Sequence, residues 1–425
     1  MKQLDKNDIG EARKTEQVLG QPRSSRRNAG FFGRFLKTAG LYCSLALASC
    51  TFETSGISRP DINDARQDTV AADSTRKDAG KDFSADAMHD LRLPDIQSPD
   101  AKPQWWNTNW NNRVVCNVNT DVSTNLTDFP AHCILDTATL ISASKINGDC
   151  SDIRVIGPDE TTQLSHEIES GTCNSANTVV WFKISKTNGK QNYCARIYYG
   201  NPSASDGQNV TDVWTQMSDV WHLGETAGNT FYSSTGKNNF ALSYGSITKL
   251  SGTKCKFGGC ISTGSGTLSV TSSSYVSLPN MTVRCWVNQT DKSGYQDIIG
   301  QRDSDPLLYW LLYTNTSNGV LSFHGSSQFP STTPLPQNTW AHALARVSGS
   351  SLSEVFMDGG NIFSSSAYSY KNSASSLNLS GYAGGAERFQ GSIDECRISK
   401  TAVSDDWIKA EYGQYYVLGK EEKKP

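Results

Sequence analysis

Tyr309, Trp310 and Tyr313 lie within a few residues of Asp303, Asp305 and Asn315. Aromatic faces beside acid and amide groups are what sugar binding requires, because a sugar ring offers both apolar C–H faces and hydroxyls. Tyr309, Trp310, Tyr313, Asp303 and Asp305 are therefore the candidate ligand contacts. Core packing competes for the same residues: in a β-sandwich a given tryptophan more often sits inside, which would leave Tyr309 partly exposed beside Trp310. Hydrolytic chemistry has less to use. No G-x-S-x-G elbow occurs. His132, His166, His222, His324 and His342 are scattered without metal-binding spacing. No residue is assigned a catalytic role. The cysteines form no C-x-x-C pair and have no histidine at zinc-finger spacing, so no zinc site is expected.

Cys50 offers a different chemistry. Leu47-Ala48-Ser49-Cys50 closes the apolar run 39–49, which follows a basic stretch containing Arg23, Arg26, Arg27, Arg34 and Lys37. The run is too short to cross a bilayer, which needs about 20 residues, and suits the core of a signal peptide. The four-residue string resembles a bacterial lipobox. That resemblance implies export, cleavage before Cys50 and membrane attachment through lipid on its thiol; an ordinary cleaved signal is the alternative. Thr51 follows the cysteine where, in enterobacterial lipoproteins, Asp would retain the protein at the inner membrane. The resemblance thus implies the outer membrane.

Export into an oxidising space makes disulfides the default for the other cysteines. Cys43 falls inside the signal, leaving Cys116, Cys133, Cys150, Cys173, Cys194, Cys255, Cys260, Cys285 and Cys396. The number is odd, so one thiol is expected to stay free or to pair between chains. Cys255 and Cys260 flank Lys256-Phe257-Gly258-Gly259 and can staple a tight turn. Pairing among the first five stays open.

These residues need elements to position them. The chain has 425 residues, a formal charge of −3 and 19% charged residues. No clustered basic excess marks a nucleic-acid partner. Residues 1–50 read as the signal segment. Residues 51–104, rich in Asp, Ser, Ala, Lys and Arg, read as a disordered tether, since they cannot bury enough apolar surface to offset chain entropy. From Trp105-Trp106 the period becomes two, with strands expected at 113–118, 131–135, 152–156, 178–184 and 193–199. These make a compact antiparallel domain over 105–213. The Trp105-Trp106 pair is expected to pack against the domain edge or to meet a ligand.

Trp110-Asn111-Asn112-Arg113, Asp152-Ile153-Arg154-Val155, Val180-Trp181-Phe182-Lys183-Ile184 and Ile197-Tyr198-Tyr199-Gly200-Asn201 resemble successive motifs of the bacterial domain of unknown function 2341. That resemblance brings no activity with it; it implies an envelope setting and a lectin-like neighbour. A second series follows: Val220-Trp221-His222-Leu223-Gly224-Glu225, Lys256-Phe257-Gly258-Gly259, 281–287, Asn338-Thr339-Trp340, Phe356-Met357-Asp358-Gly359 and 391–399. In order and spacing it resembles a laminin G-like, concanavalin A-like jelly roll over 214–416, with 417–425 left as a charged tail.

Local pattern agrees with the jelly roll. Met281, Val283, Cys285 and Val287 share one face of a strand, as do Cys396 and Ile398 of another. Asp358-Gly359 signals a hairpin turn. Ser404 reads as the N-cap of a short helix with acids in its first turn. Inward-facing Cys285 and Cys396 on neighbouring strands would bridge the sheet. Modules of this family often hold calcium at the rim, but Ser233 and Gly224 stand where acids are common. Glu225, Asp303, Asp305 and Asp394 remain as oxygen donors, and Asp394 is expected to pair with a neighbour such as Arg397 instead; no ion or other cofactor is expected. Nor does Ile393-Asp394-Glu395 supply the alternating acids that glycosidases of this fold use. The expectation is an all-β protein of two antiparallel sandwiches. Its expected function is binding of a glycan, surface polymer or protein. The alternatives are a structural or adhesive spacer without a discrete ligand and a polysaccharide hydrolase.

Overall fold

The computed structural model describes residues 104–425 except 273–274, 276–277, 305–307, 317, 326, 350, 368, 370–374 and 383. The signal segment, Cys50 and nearly all of the tether lie outside the described residues, as does Asp305. No helix among the described residues is long and apolar enough to cross a membrane.

The first domain runs β1 (Asn112–Asn119), β2 (Thr127–Leu135), α1 (Thr137–Ser142), β3 (Arg154–Ile156), β4 (Gln163–Leu164), β5 (His166–Ile168), β6 (Thr178–Lys186), β7 (Tyr193–Tyr199) and α2 (Val210–Val213). The second begins with β8 (Asp219–Trp221), β9 (Thr230–Phe231), β10 (Phe240–Gly245), β11 (Thr248–Ser251), β12 (Gly259–Ser262), β13 (Gly266–Thr271) and β14 (Met281–Gln289). It continues through β15 (Gln296–Arg302), β16 (Leu308–Thr314), β17 (Val320–His324), β18 (Gln328–Pro334), β19 (Trp340–Ser348), β20 (Leu352–Met357), β21 (Gly360–Ser365), β22 (Ser376–Leu379) and β23 (Gly391–Ser399). α3 (Asp405–Gly413) and β24 (Tyr415–Lys423) close the chain.

Two eight-stranded antiparallel sheets face each other in the second domain. One has the order β18-β17-β16-β15-β22-β13-β10-β9; the other has β11-β12-β23-β14-β19-β20-β21, with β8 also pairing β23. Met281, Val283, Cys285 and Val287 of one sheet and Ile299, Trp310 and Leu312 of the other fill the space between them. Asp358 and Gly359 take positive φ (53° and 79°) between paired Met357 and Gly360, the left-handed turn that matches strand twist. Ser404 accepts from Trp407 N at 3.1 Å and caps α3.

The first domain stacks a five-stranded sheet, β24-β1-β7-β3-β4, on a three-stranded one, β2-β6-β5. Its outermost strand comes from the far end of the chain. The expected charged tail at 417–425 is instead most of β24, paired with β1 from Asn119↔Tyr415 to Asn112↔Lys423. Its charges are those of an exposed edge strand, where Lys and Glu discourage further pairing. The short helix α1 interrupts the strand series because Asp136 caps it, accepting from Thr139 N. The two domains also share apolar packing: one cluster contains Phe129, Trp181 and Phe182 of the first domain with Leu344, Phe356, Trp407 and Ile408 of the second. The tethering strand and this common core bind the sandwiches to each other.

Disulfides fasten the layers. Cys116–Cys133 joins β1 to β2 across the first sandwich, and Cys150–Cys173 ties two of its loops. Cys255–Cys260 staples the turn before β12, and Cys285–Cys396 links adjacent strands β14 and β23. Cys194 is also disulfide-bonded, so the spare thiol expected among the nine is not found.

Candidate functional site

Alternation along β16 sends Trp310 and Leu312 into the sandwich core and Leu311 and Tyr313 to the other face, where a register slip against β15 lets Leu308 join them in a separate apolar group. With Tyr295, Arg302, His324, Gln328 and Glu387, that group lines an open pocket of about 240 Å³. Tyr295 is 40% exposed, so its ring is available to a ligand. Its centroid lies 6.1 Å from that of Tyr313, which lies 6.3 Å from that of His324. The three rings make a short aromatic run beside polar groups.

The charged side of the pocket is a closed ion group. Arg302 Nη1 donates to Asp297 Oδ2 at 2.8 Å and to Glu387 Oε2 at 2.6 Å. Burial pushes the Asp297 carboxyl up to about 8; Arg302 opposes the rise and Glu387 adds to it.

The structure sorts the candidates read from the sequence. Tyr313 lines the pocket. Trp310 does not: it is fully buried and its Nε1 donates to Tyr275 O at 3.1 Å, so it is a core residue. Tyr309 packs partly against the same core, because β15 and β16 slip register between Gln301 and Arg302. Asp303 is consumed by a loop, accepting from Ser375 N at 2.7 Å and Ser376 N at 2.8 Å. Asp305 lies outside the described residues. Tyr295, Arg302, Gln328 and Glu387 have no signal in the sequence, and His324 enters there only as one of the scattered histidines. The signal that could have found part of this pocket is the apolar character of Leu311 and Tyr313 on the face opposite Trp310.

A second group of polar side chains sits between the domains. Glu167 of β5 accepts from Trp214 Nε1 at 2.5 Å and Ser234 Oγ at 2.7 Å, and lies 3.2 Å from His222 Nε2. His222 Nδ1 is 2.5 Å from Glu395 Oε1, whose other oxygen takes Arg397 Nη2 at 2.5 Å. Arg397 in turn lies over Trp181 and Trp214, 4.5 and 4.7 Å from their ring centroids. Burial alone would lower the His222 pKa, but Glu395 and Glu167 on either side outweigh it and raise it well above the ordinary value. Glu395 would be pushed up by burial; His222 and Arg397 bring it down to about 2. Glu169, whose oxygens take Gly259 N and Trp181 Nε1, is raised to about 8 by burial and the nearby Glu395.

Glu169, His222 and Glu395 bring ligand atoms within 4.8 Å of one another, a spacing compatible with a metal. The expected Asp394–Arg397 pair is not formed. Arg397 pairs with Glu395, while Asp394 Oδ2 accepts from Lys256 N and Phe257 N and holds the Cys255–Cys260 turn. The cause is a bulge: Glu395 has φ 52° where β23 slips against β14 between Arg284 and Trp286.

In the first domain the quoted motifs meet one another. Asp152 Oδ2 accepts from Gly200 N and Asn201 N, and Trp110 Nε1 donates to Asp152 O. Trp105 and Trp106 meet Tyr198 edge-to-face at the domain edge, 5.1 and 5.6 Å between centroids.

Residues 149–227 match the family model described as domain of unknown function (DUF2341). Residues 262–409 match that of the concanavalin A-like lectin/glucanases superfamily. The chain carries a DUF2341 region followed by a laminin G/concanavalin A-like jelly roll. No curated protein matches the chain. Among solved structures it is similar to domain 4 of AbnA, a GH43 extracellular arabinanase from Geobacillus stearothermophilus in complex with arabinotriose. That likeness has 18% identity, covers 46% of this chain and 97% of the other, and has a TM-score of 0.36. It is also similar to Trypanosoma rangeli sialidase, with 9% identity, 53% and 41% coverage and a TM-score of 0.38. The binding domain of botulinum neurotoxin DC, in complex with rat synaptotagmin II, gives 11% identity, 47% and 51% coverage and a TM-score of 0.37. The chain thus spans about half or less of the sialidase and toxin chains, and scores this low carry no argument about ligand or activity.

Proposed function

We propose that the protein is a lipid-anchored cell-envelope protein that binds carbohydrate through the jelly roll. The observation that carries this reading is the pocket beside β16: an exposed tyrosine ring continued by Tyr313 and His324, apolar Leu308 and Leu311, and polar Gln328 and Glu387 within one depression. A sugar ring can stack its C–H face on Tyr295 while its hydroxyls reach the amide and the carboxylate. A glycan array followed by titration calorimetry on the full exported chain tests it. Tyr295→Ala is expected to weaken saturable binding about tenfold, a loss near the upper end of about 0.5–1.5 kcal/mol for an aromatic contact. Saturable binding that Tyr295→Ala leaves unchanged would remove the pocket from the account.

The second reading is a rigid spacer, favoured by the core that the two sandwiches share. It predicts no glycan binding at all. The anchor rests on the lipobox resemblance around Cys50. Cys50→Ala is expected to lose lipid labelling and membrane retention while the head still folds; retention of that variant in the membrane fraction would overturn the anchor.

A further inference from the structure

We infer that the pocket beside β16 selects uncharged sugars against acidic ones, an inference that rests on the carbohydrate reading above. Acidic sugars are usually held by a free guanidinium that can meet a carboxylate with paired hydrogen bonds. Arg302 lines the pocket, but it is not free to do this. Its Nη1 is bracketed by Asp297 Oδ2 at 2.8 Å and Glu387 Oε2 at 2.6 Å, and its Cζ lies 3.9 Å from the ring centroid of Tyr382.

Exposure decides which partner a ligand meets first. The Arg302 and Asp297 side chains are 6% and 2% exposed, whereas that of Glu387 is 30% exposed. The group turned toward the opening is therefore an anion, with its counter-cation behind it. A ligand carboxylate would approach Glu387, lose hydration and find Arg302 Nη1 already engaged by two acids. A hydroxyl can donate to Glu387 without disturbing the ion group, and Gln328 offers a neutral donor and acceptor nearby. Two carboxylates on one guanidinium leave no net positive charge to attract an anionic polymer.

Matched ligands test this on the full exported chain: lactose against sialyllactose, and a neutral galactan oligomer against an oligogalacturonate of equal length. The neutral member of whichever pair binds is expected to bind at least tenfold more tightly. Glu387→Gln is expected to narrow that gap by removing the exposed charge, and Tyr295→Ala to weaken both members. A thermal melt of each variant within a few degrees of the parent confirms folding. Equal or tighter binding of an acidic member, weakened by Tyr295→Ala, would overturn the selectivity and leave the carbohydrate reading standing. No binding of any member, or binding indifferent to Tyr295→Ala, would overturn both.

Discussion

His222→Gln is expected to cost the folded protein about 3–5 kcal/mol, the range for breaking a buried ion pair by removing one partner. The imidazole stands between Glu167, 3.2 Å from Nε2, and Glu395, 2.5 Å from Nδ1, all three nearly inaccessible to water. Glutamine preserves much of the volume and can still hydrogen-bond, so the loss reports chiefly the missing charge. Glu395 keeps Arg397, but Glu167 keeps only the neutral donors Trp214 and Ser234 among its described side-chain partners. Adding Glu167→Gln to His222→Gln should therefore restore part of the stability. Urea unfolding of the parent, both single variants and the double variant gives the coupling directly. A loss below about 1 kcal/mol for His222→Gln would show that the group is not a clasp between the domains.

The same groups give a pH dependence whose sign can be worked out. His222 has a raised pKa when folded, so its contribution is complete below about 6.5 and is lost as pH rises through the raised value. Glu395 is lowered to about 2, so its contribution is complete above the ordinary carboxyl range and is lost as pH falls toward about 2. Glu169 and Asp297, both raised to about 8, hold protons in the folded state that the unfolded chain releases near pH 4. Each therefore withdraws stability between pH 4 and 8, on the order of 1 kcal/mol per pH unit. Stability should therefore peak near the ordinary carboxyl range, at roughly pH 4, and decline steadily on the alkaline side. Thermal midpoints at pH 5.5 and 8.5 check this; a flat or rising profile would contradict it.

Features set within a few residues were legible in the sequence. The Asp358-Gly359 turn, the Ser404 cap and the shared face of Met281, Val283, Cys285 and Val287 depend on local dihedrals and alternation. Cys396 and Ile398 also share the core face as expected. Ile393 joins them at a spacing of three, because the bulge at Glu395 inserts a residue that simple alternation does not include. The sites depend on distant segments. Glu387 meets Arg302 across 85 positions, and Glu395 meets His222 across 173. Neither pair has a local signature, and each member looks like an ordinary surface residue in its own segment. The charged end of the chain misleads for a related reason. Lys420, Glu421 and Glu422 resemble a solvated tail because edge strands and tails use the same residues; Glu422 meets Arg113 across 309 positions.

Removing Cys285–Cys396 should cost more than removing any other bridge whose two ends are described. The two cysteines are fully buried on adjacent strands, with Cα atoms 4.2 Å apart, and the bridge closes 111 positions of chain. Loop-closure entropy for about 100 residues gives about 4–5 kcal/mol. Cys255–Cys260 spans 5 positions, for which the same relation gives about 2 kcal/mol. The two double variants, Cys285→Ala with Cys396→Ala and Cys255→Ala with Cys260→Ala, separate loop length from the general effect of losing a bridge. Denaturant unfolding of the oxidised parent and both variants should place the first pair well below the second. The reverse order would mean that Asp394, which accepts from Lys256 N and Phe257 N beside the short bridge, depends on that turn more than the long loop depends on its bridge. Its buried carboxyl, already raised well above the ordinary range by burial and by Glu395, would then be the group left unsatisfied when the staple is cut.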